Sequence, residues 1–138
     1  MTDAESPLVQ LLRSTELAGT APYAYAATVS PAARLIFTAG ACPLDEQGRT
    51  VAVGDIAGQA EQVMANLRTA LREAGATLTD VVRTTVYVAS SDGSDLGTAW
   101  DVVSRHFGEH DVPSTLLGVT VLGYPDQLVE VEAVAAVR

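Results

Sequence analysis

Two glutamates, Glu130 and Glu132, lie two residues apart in the stretch Leu128-Val129-Glu130-Val131-Glu132-Ala133. Along a strand this alternation puts both carboxylates on one face and Val129, Val131 and Ala133 on the other. Like charges that close can raise the pKa of one group and make it a general base or acid; the same pattern also describes a plain exposed acidic face. Cys42 stands alone before Pro43, with no base or helix N-terminus beside it in the sequence, so buried packing suits it better than nucleophilic catalysis. His106 and His110 are four apart on an expected helix and would share a face. Without a third ligand they read as ordinary helix-surface residues rather than a metal site. All eight basic residues are arginine, so no lysine side chain is available for Schiff-base chemistry.

These groups need a scaffold, and the chain has the material for one domain spanning residues 1–138. It is 48% hydrophobic, enough for one packed core. A net charge of −9 disfavours nucleic acid as a partner, because phosphates call for a basic face. There is no apolar run of about 18 residues, and the opening Met1-Thr2-Asp3-Ala4-Glu5 is acidic. Neither a membrane span nor a signal peptide is expected, and the expected compartment is the cytoplasm.

Tyr23 to Val29 and Arg34 to Ala39 read as strands around the turn Ser30-Pro31-Ala32-Ala33, hence as a hairpin. Ile56, Ala60, Val63, Leu67, Leu71 and Ala74 form an apolar stripe at helical spacing, with Asp55 placed to cap its start and Gly75 to close its end. Val81 to Val88 alternates, with Val82, Val86 and Val88 on one face and Arg83, Thr85 and Tyr87 on the other. A second helix is expected from Asp95 to Phe107, its stripe being Leu96, Trp100, Val103 and Phe107. Leu116 to Leu122 and Leu128 to Ala135 are strands joined by Gly123-Tyr124-Pro125-Asp126. With one more strand in residues 8 to 17, the order predicts an α+β fold: a mixed six-stranded sheet with two helices on one face. The other face keeps apolar residues, among them Leu117, Val119 and Val121, and this predicts association through the sheet.

Several of these segments, in the right order, resemble the Rid (YjgF/YER057c/UK114) family: Ala21-Pro22-Tyr23, Leu35 to Asp45, Gln59 to Val88, Phe107-Gly108-Glu109-His110, and Leu128 to Ala133. The resemblance covers roughly residues 20 to 138. It implies a chorismate-mutase-like fold, a homotrimer with its sheets packed into a central barrel, and ligand clefts between subunits. Typical members hydrolyse small enamines and imines to 2-oxo acids and ammonia, with no metal or organic cofactor.

Carried over residue by residue, the resemblance makes Glu130 the catalytic group that positions water and Tyr23 a cleft residue. It sets Gly40, after Ala39, with its N–H towards a ligand carboxylate or oxyanion. Ala39 stands where the family has serine, Ala41 where it has glutamine and Trp100 where it often has asparagine. The arginine that clamps the substrate carboxylate is missing: the segment reads Val112-Pro113-Ser114-Thr115, with Ser114 the first equivalent and Thr115 the next. A hydroxyl cannot supply the paired charged hydrogen bonds of a guanidinium, which argues against standard 2-imino-acid deamination. Arg34 and Arg83 are the candidates to replace it. The expected substrate-binding set is thus Tyr23, Ala39, Gly40, Trp100, Ser114 and Thr115. The expected function is deamination of an enamine or imine, or a related reaction on a carbonyl intermediate. The alternative is a non-catalytic module that senses a metabolite or binds a partner.

Overall fold

A computed structural model describes residues 7–138; the acidic opening, Met1 to Glu5, lies outside them. Six strands and two helices follow in the order β1 (Val9–Leu12), β2 (Ala26–Val29), β3 (Arg34–Phe37), α1 (Ile56–Glu73), β4 (Val81–Val88), α2 (Gly93–Phe107), β5 (Ser114–Gly118) and β6 (Val129–Val137). This is the expected α+β fold, but the strands divide between two sheets. β1 and β2 pair antiparallel, and the other four run in the order β3-β6-β4-β5, with only β4 and β5 parallel. No helix among the described residues is long and apolar enough to cross a membrane.

The expected hairpin of β2 and β3 does not form. The turn between them closes, with Ala33 N–H donating to Ser30 O at 3.0 Å. Beyond it β2 stays with β1, while β3 pairs with β6 so that Ile36 reaches the core opposite Ala135. Alternation sets which face a strand buries but not which neighbour it takes. The segment expected as Tyr23 to Val29 is a loop through Tyr25, and β5 ends at Gly118 rather than Leu122.

Both helices pack on one face of the four-stranded sheet. Ala60, Val63, Met64, Leu67 and Leu71 of α1 are fully buried against Val81, Val86, Val129, Val131 and Ala135. The caps are those read from the sequence. Asp55 accepts from Gly58 N–H at 3.0 Å, and Gly75 takes φ +93°. Gly75 N–H then bonds Arg72 O and Ala76 N–H bonds Leu71 O, satisfying carbonyls the helix end would leave bare. α2 buries Ala99, Val102, Val103 and Phe107, leaving Trp100 at the rim.

On β4 a register shift between Val81 and Arg83 turns Val82 away from the core face assigned to it. Thr84 takes the buried position instead, and its hydroxyl donates to Glu132 O at 2.9 Å. Cross-strand partners share a face. Leu35, Phe37, Glu130, Glu132, Thr85, Tyr87, Thr115 and Leu117 therefore share the helix-free face. Phe37 is 72% exposed there, Leu35 45% and Leu117 41%.

One buried polar side chain ties the fold to the site. Gln59 of α1 is fully buried; its amide donates to Asp126 O at 2.9 Å, and its carbonyl accepts from Leu128 N–H at 2.7 Å. It thereby fastens the loop leading into β6. In Gln59→Leu the Leu128 N–H loses its partner inside the protein, so urea denaturation is expected to show a loss of about 1–3 kcal/mol despite the more apolar side chain.

Candidate functional site

Gly40 and Glu130 meet where β3 runs out. Thr38 N–H still bonds Ala133 O at 3.0 Å, and Ala41 N–H bonds Val131 O at 2.7 Å. Three steps along one chain thus span two along β6, so the Ala39-Gly40 segment bulges beneath Glu130. A Cβ on Gly40 would lie 2.3 Å from Glu130 Oε2 and 2.6 Å from its Cδ. Here glycine is required by the approach of a carboxylate to the backbone.

Two side chains hold that carboxylate. Gln127 Nε2 donates to Glu130 Oε1 at 3.0 Å, and the Cys42 thiol donates to the same oxygen at 3.2 Å. Burial, then the hydrogen bond to Glu130 and its charge, push the Cys42 thiol up to about 11, against a smaller opposing effect of Gln127. The thiol is therefore a proton donor at neutral pH and not a nucleophile. The base that the sequence did not place beside Cys42 comes from 88 residues away. Gln127 carried no local signal at all.

Glu132 shares the face with Glu130, as the alternation requires, but has its own partner. Tyr87 donates to Glu132 Oε1 at 2.7 Å, and that bond, with burial and the nearby carboxylates, raises the Tyr87 pKa. The two glutamates are clamped separately.

Tyr23, Trp100, Ser114 and Thr115 come together elsewhere, around two adjoining hollows. One, of about 520 Å³, is lined by Tyr23, Tyr25, Val82, Arg83, Ser114 and Thr115, among others. The second, of about 490 Å³, shares Tyr23, Ser114 and Thr115 and adds Trp100, Pro22 and Leu116. Tyr23 meets Trp100 edge-on, with ring centroids 6.4 Å apart. Its loop is held by the Arg13 guanidinium, which donates to the carbonyls of Gly19, Ala21 and Tyr23. Thr115 is exposed on the helix-free face in the row of Thr85 and Glu132; the Ser114 hydroxyl turns back to Val112 O at 2.9 Å. Arg83 borders the first hollow and makes no ion pair among the described residues. Arg34 lies by Gly75, past the end of α1.

The expected site residues thus fall into two groups within one chain. Ala39, Gly40 and Glu130 form one; Tyr23, Trp100, Ser114 and Thr115 form the other. His106 and His110 do not share a helix face, because α2 ends at Phe107 and Gly108 follows at φ +61°. His106 Nε2 meets Glu61 at 2.9 Å and His110 Nε2 meets Val81 O at 2.7 Å. Gly40→Ala is expected to drive the Glu130 side chain off its seat and away from Gln127 and Cys42, at a cost of about 1–3 kcal/mol. A crystal structure of the variant checks the displacement, and urea denaturation checks the cost.

Residues 14–137 match the protein family described as Endoribonuclease L-PSP. A RutC family protein of Pyrococcus abyssi is 38% identical over 114 residues, which are 83% of this chain and 85% of that one. The 3-aminoacrylate deaminase RutC of Acinetobacter baylyi is 32% identical over 117 residues, 85% of this chain and 88% of that enzyme. The crystal structure of YyfB from Yersinia pestis, a conserved Rid family protein of unknown function, superposes with a TM-score of 0.87 at 28% identity, covering 95% of this chain and all of that one. The chain belongs to the Rid (YjgF/YER057c/UK114) family.

Proposed function

We propose that this protein is a cofactor-free homotrimeric deaminase-like hydrolase, acting on a small enamine or imine, or on a related carbonyl intermediate, in a cleft between neighbouring subunits. The observation that carries this reading is the Glu130 carboxylate seated against Gly40 on a sheet face that exposes Phe37, Leu35 and Leu117. A second copy covering that face would remove apolar surface from water and bring its own Tyr23 and Trp100 towards Glu130. In the reaction, Glu130 takes a proton from water as the water oxygen adds to the imine carbon, and passes that proton to the nitrogen. Glu130 then takes the proton of the new hydroxyl and delivers it to the amine as the C–N bond breaks, so that ammonia leaves and a carbonyl remains. The Gly40 N–H, which donates to no described residue, offers a hydrogen bond to charge developing on the substrate. Net charge and the absence of lysine speak against RNA as the substrate.

The substituted clamp supports a second reading, a binding module without turnover, because Ser114 or Thr115 offers only a hydroxyl where the resemblance expects a guanidinium, and of the two Thr115 faces the open side. Arg83 bears on the choice: it offers positive charge to an anionic ligand in the hollow beside Thr115.

Imine hydrolysis tests the choice, with an amino-acid oxidase generating 2-imino acids and semicarbazide competing for them. On these 2-imino acids the wild type is expected to be slow for want of the guanidinium, and Glu130→Gln to lower its residual rate roughly 10²–10⁴-fold. Thr115→Arg, rather than Ser114→Arg, is expected to raise activity on 2-imino acids, because Thr115 faces the open side. Ligand binding without turnover in the wild type would favour the module. Sedimentation of Phe37→Asp is expected to show smaller species than the wild-type trimer; an unchanged trimer would place the subunit interface elsewhere.

A further inference from the structure

The Glu130 carboxylate is gripped by one oxygen only. Oε1 accepts from both Gln127 and Cys42, whereas Oε2 accepts from no described residue and lies over the bare Cα of Gly40. A glutamate side chain on an open sheet face would otherwise sample several rotamers. Two donors on one oxygen select a single orientation and leave the other oxygen available.

The grip is anchored in the core. Gln127 is 4% exposed, and both ends of its amide are engaged: Oε1 accepts from Tyr124 N–H at 3.0 Å, and Nε2 also donates to Val129 O at 3.1 Å. Its loop is in turn fastened to α1 through Gln59. The path from helix to carboxylate thus consists of hydrogen-bonded groups rather than free side chains. A group held this way keeps its geometry while a substrate binds and reacts.

We propose that Gln127 and Cys42 are positioning residues that orient the Glu130 carboxylate so that Oε2 is the oxygen presented to water and substrate. The inference rests on Glu130 being the base. It gives the thiol a definite chemical role. An imine carbon is electrophilic, and a thiolate beside it would add to that carbon and form a covalent adduct. A thiol that donates to the carboxylate cannot do so. With its pKa near 11 rather than 9, Cys42 carries about a hundredfold less thiolate at neutral pH than an ordinary cysteine.

Cys42 is the one cysteine in the chain, so alkylation by iodoacetamide followed by mass spectrometry reads this thiol alone in the intact protein. The rate is expected to rise through a midpoint near pH 11 in the wild type, and at a clearly lower pH in Glu130→Gln. Gln127→Leu and Cys42→Ala are expected to lower kcat for imine loss roughly ten- to a hundredfold, with KM within about twofold of wild type. Cys42→Ser keeps a donor and is expected to restore kcat; circular dichroism checks that each variant is folded. An unshifted alkylation midpoint in Glu130→Gln, or full kcat in Gln127→Leu and Cys42→Ala, overturns the proposal. A wild type that turns over no imine, with the alkylation shift intact, instead removes the catalytic reading of Glu130. The thiol–carboxylate pair would then stand without a part in turnover.

Discussion

β6 cannot slip. Val129, Val131, Ala133 and Ala135 are buried beneath the helices, while Glu130 and Glu132 face the other way. A shift of one residue would put two carboxylates into an apolar core and expose four aliphatic side chains. The same burial that holds the two layers together therefore aims Glu130 at the helix-free face. The bulge at Ala39-Gly40 and the loop held by Gln59 finish the placement, one from below the carboxylate and one from its flank.

What could be read from the sequence follows from how far each determinant reaches along the chain. The stripe of α1, its Asp55 cap and its Gly75 closure are local, and all three stand in the structure as read. The two-faced pattern of β6 is local too. Partnership between strands is not, so β2 and β3 looked like a hairpin although they belong to different sheets. One extra residue on β4 was enough to turn Val82 outward, and a bulge leaves no mark in a run of valines and threonines. The contacts of Glu130 with Cys42 and of Gln59 with Leu128 span 88 and 69 residues, beyond any motif. Family resemblance named Glu130 and Gly40 but said nothing of Gln127, whose side chain matters only because its loop is pinned from the helix.

The resemblance also marks positions where this chain departs from the expected pattern. Family membership supplies the scaffold. Where the resemblance expects serine, glutamine, asparagine and arginine, the chain has Ala39, Ala41, Trp100 and Ser114 or Thr115, so the proposed cleft would hold fewer donors. Arg83 is the charge left beside Thr115. Glu130 stands where the resemblance expects a glutamate, and its contacts with Gln127 and Cys42 are seen in this chain's own structure. On the proposed function, that combination fits a reaction retained and a substrate altered.

In the proposed assembly, Glu130 and Gly40 of one subunit face the aromatic hollow of its neighbour across a shared cleft. The most direct measurement is a crystal structure of the assembled protein with a small 2-oxo acid such as 2-oxobutanoate. The expected result is a trimer with the ligand carbonyl within hydrogen-bond reach of Gly40 N–H and Glu130 Oε2, and with Tyr23 and Trp100 of the adjacent subunit against the rest of it. A trimer in which Glu130 is sealed from solvent, or a ligand seated with no contact to the Glu130–Gly40 pair, would contradict it.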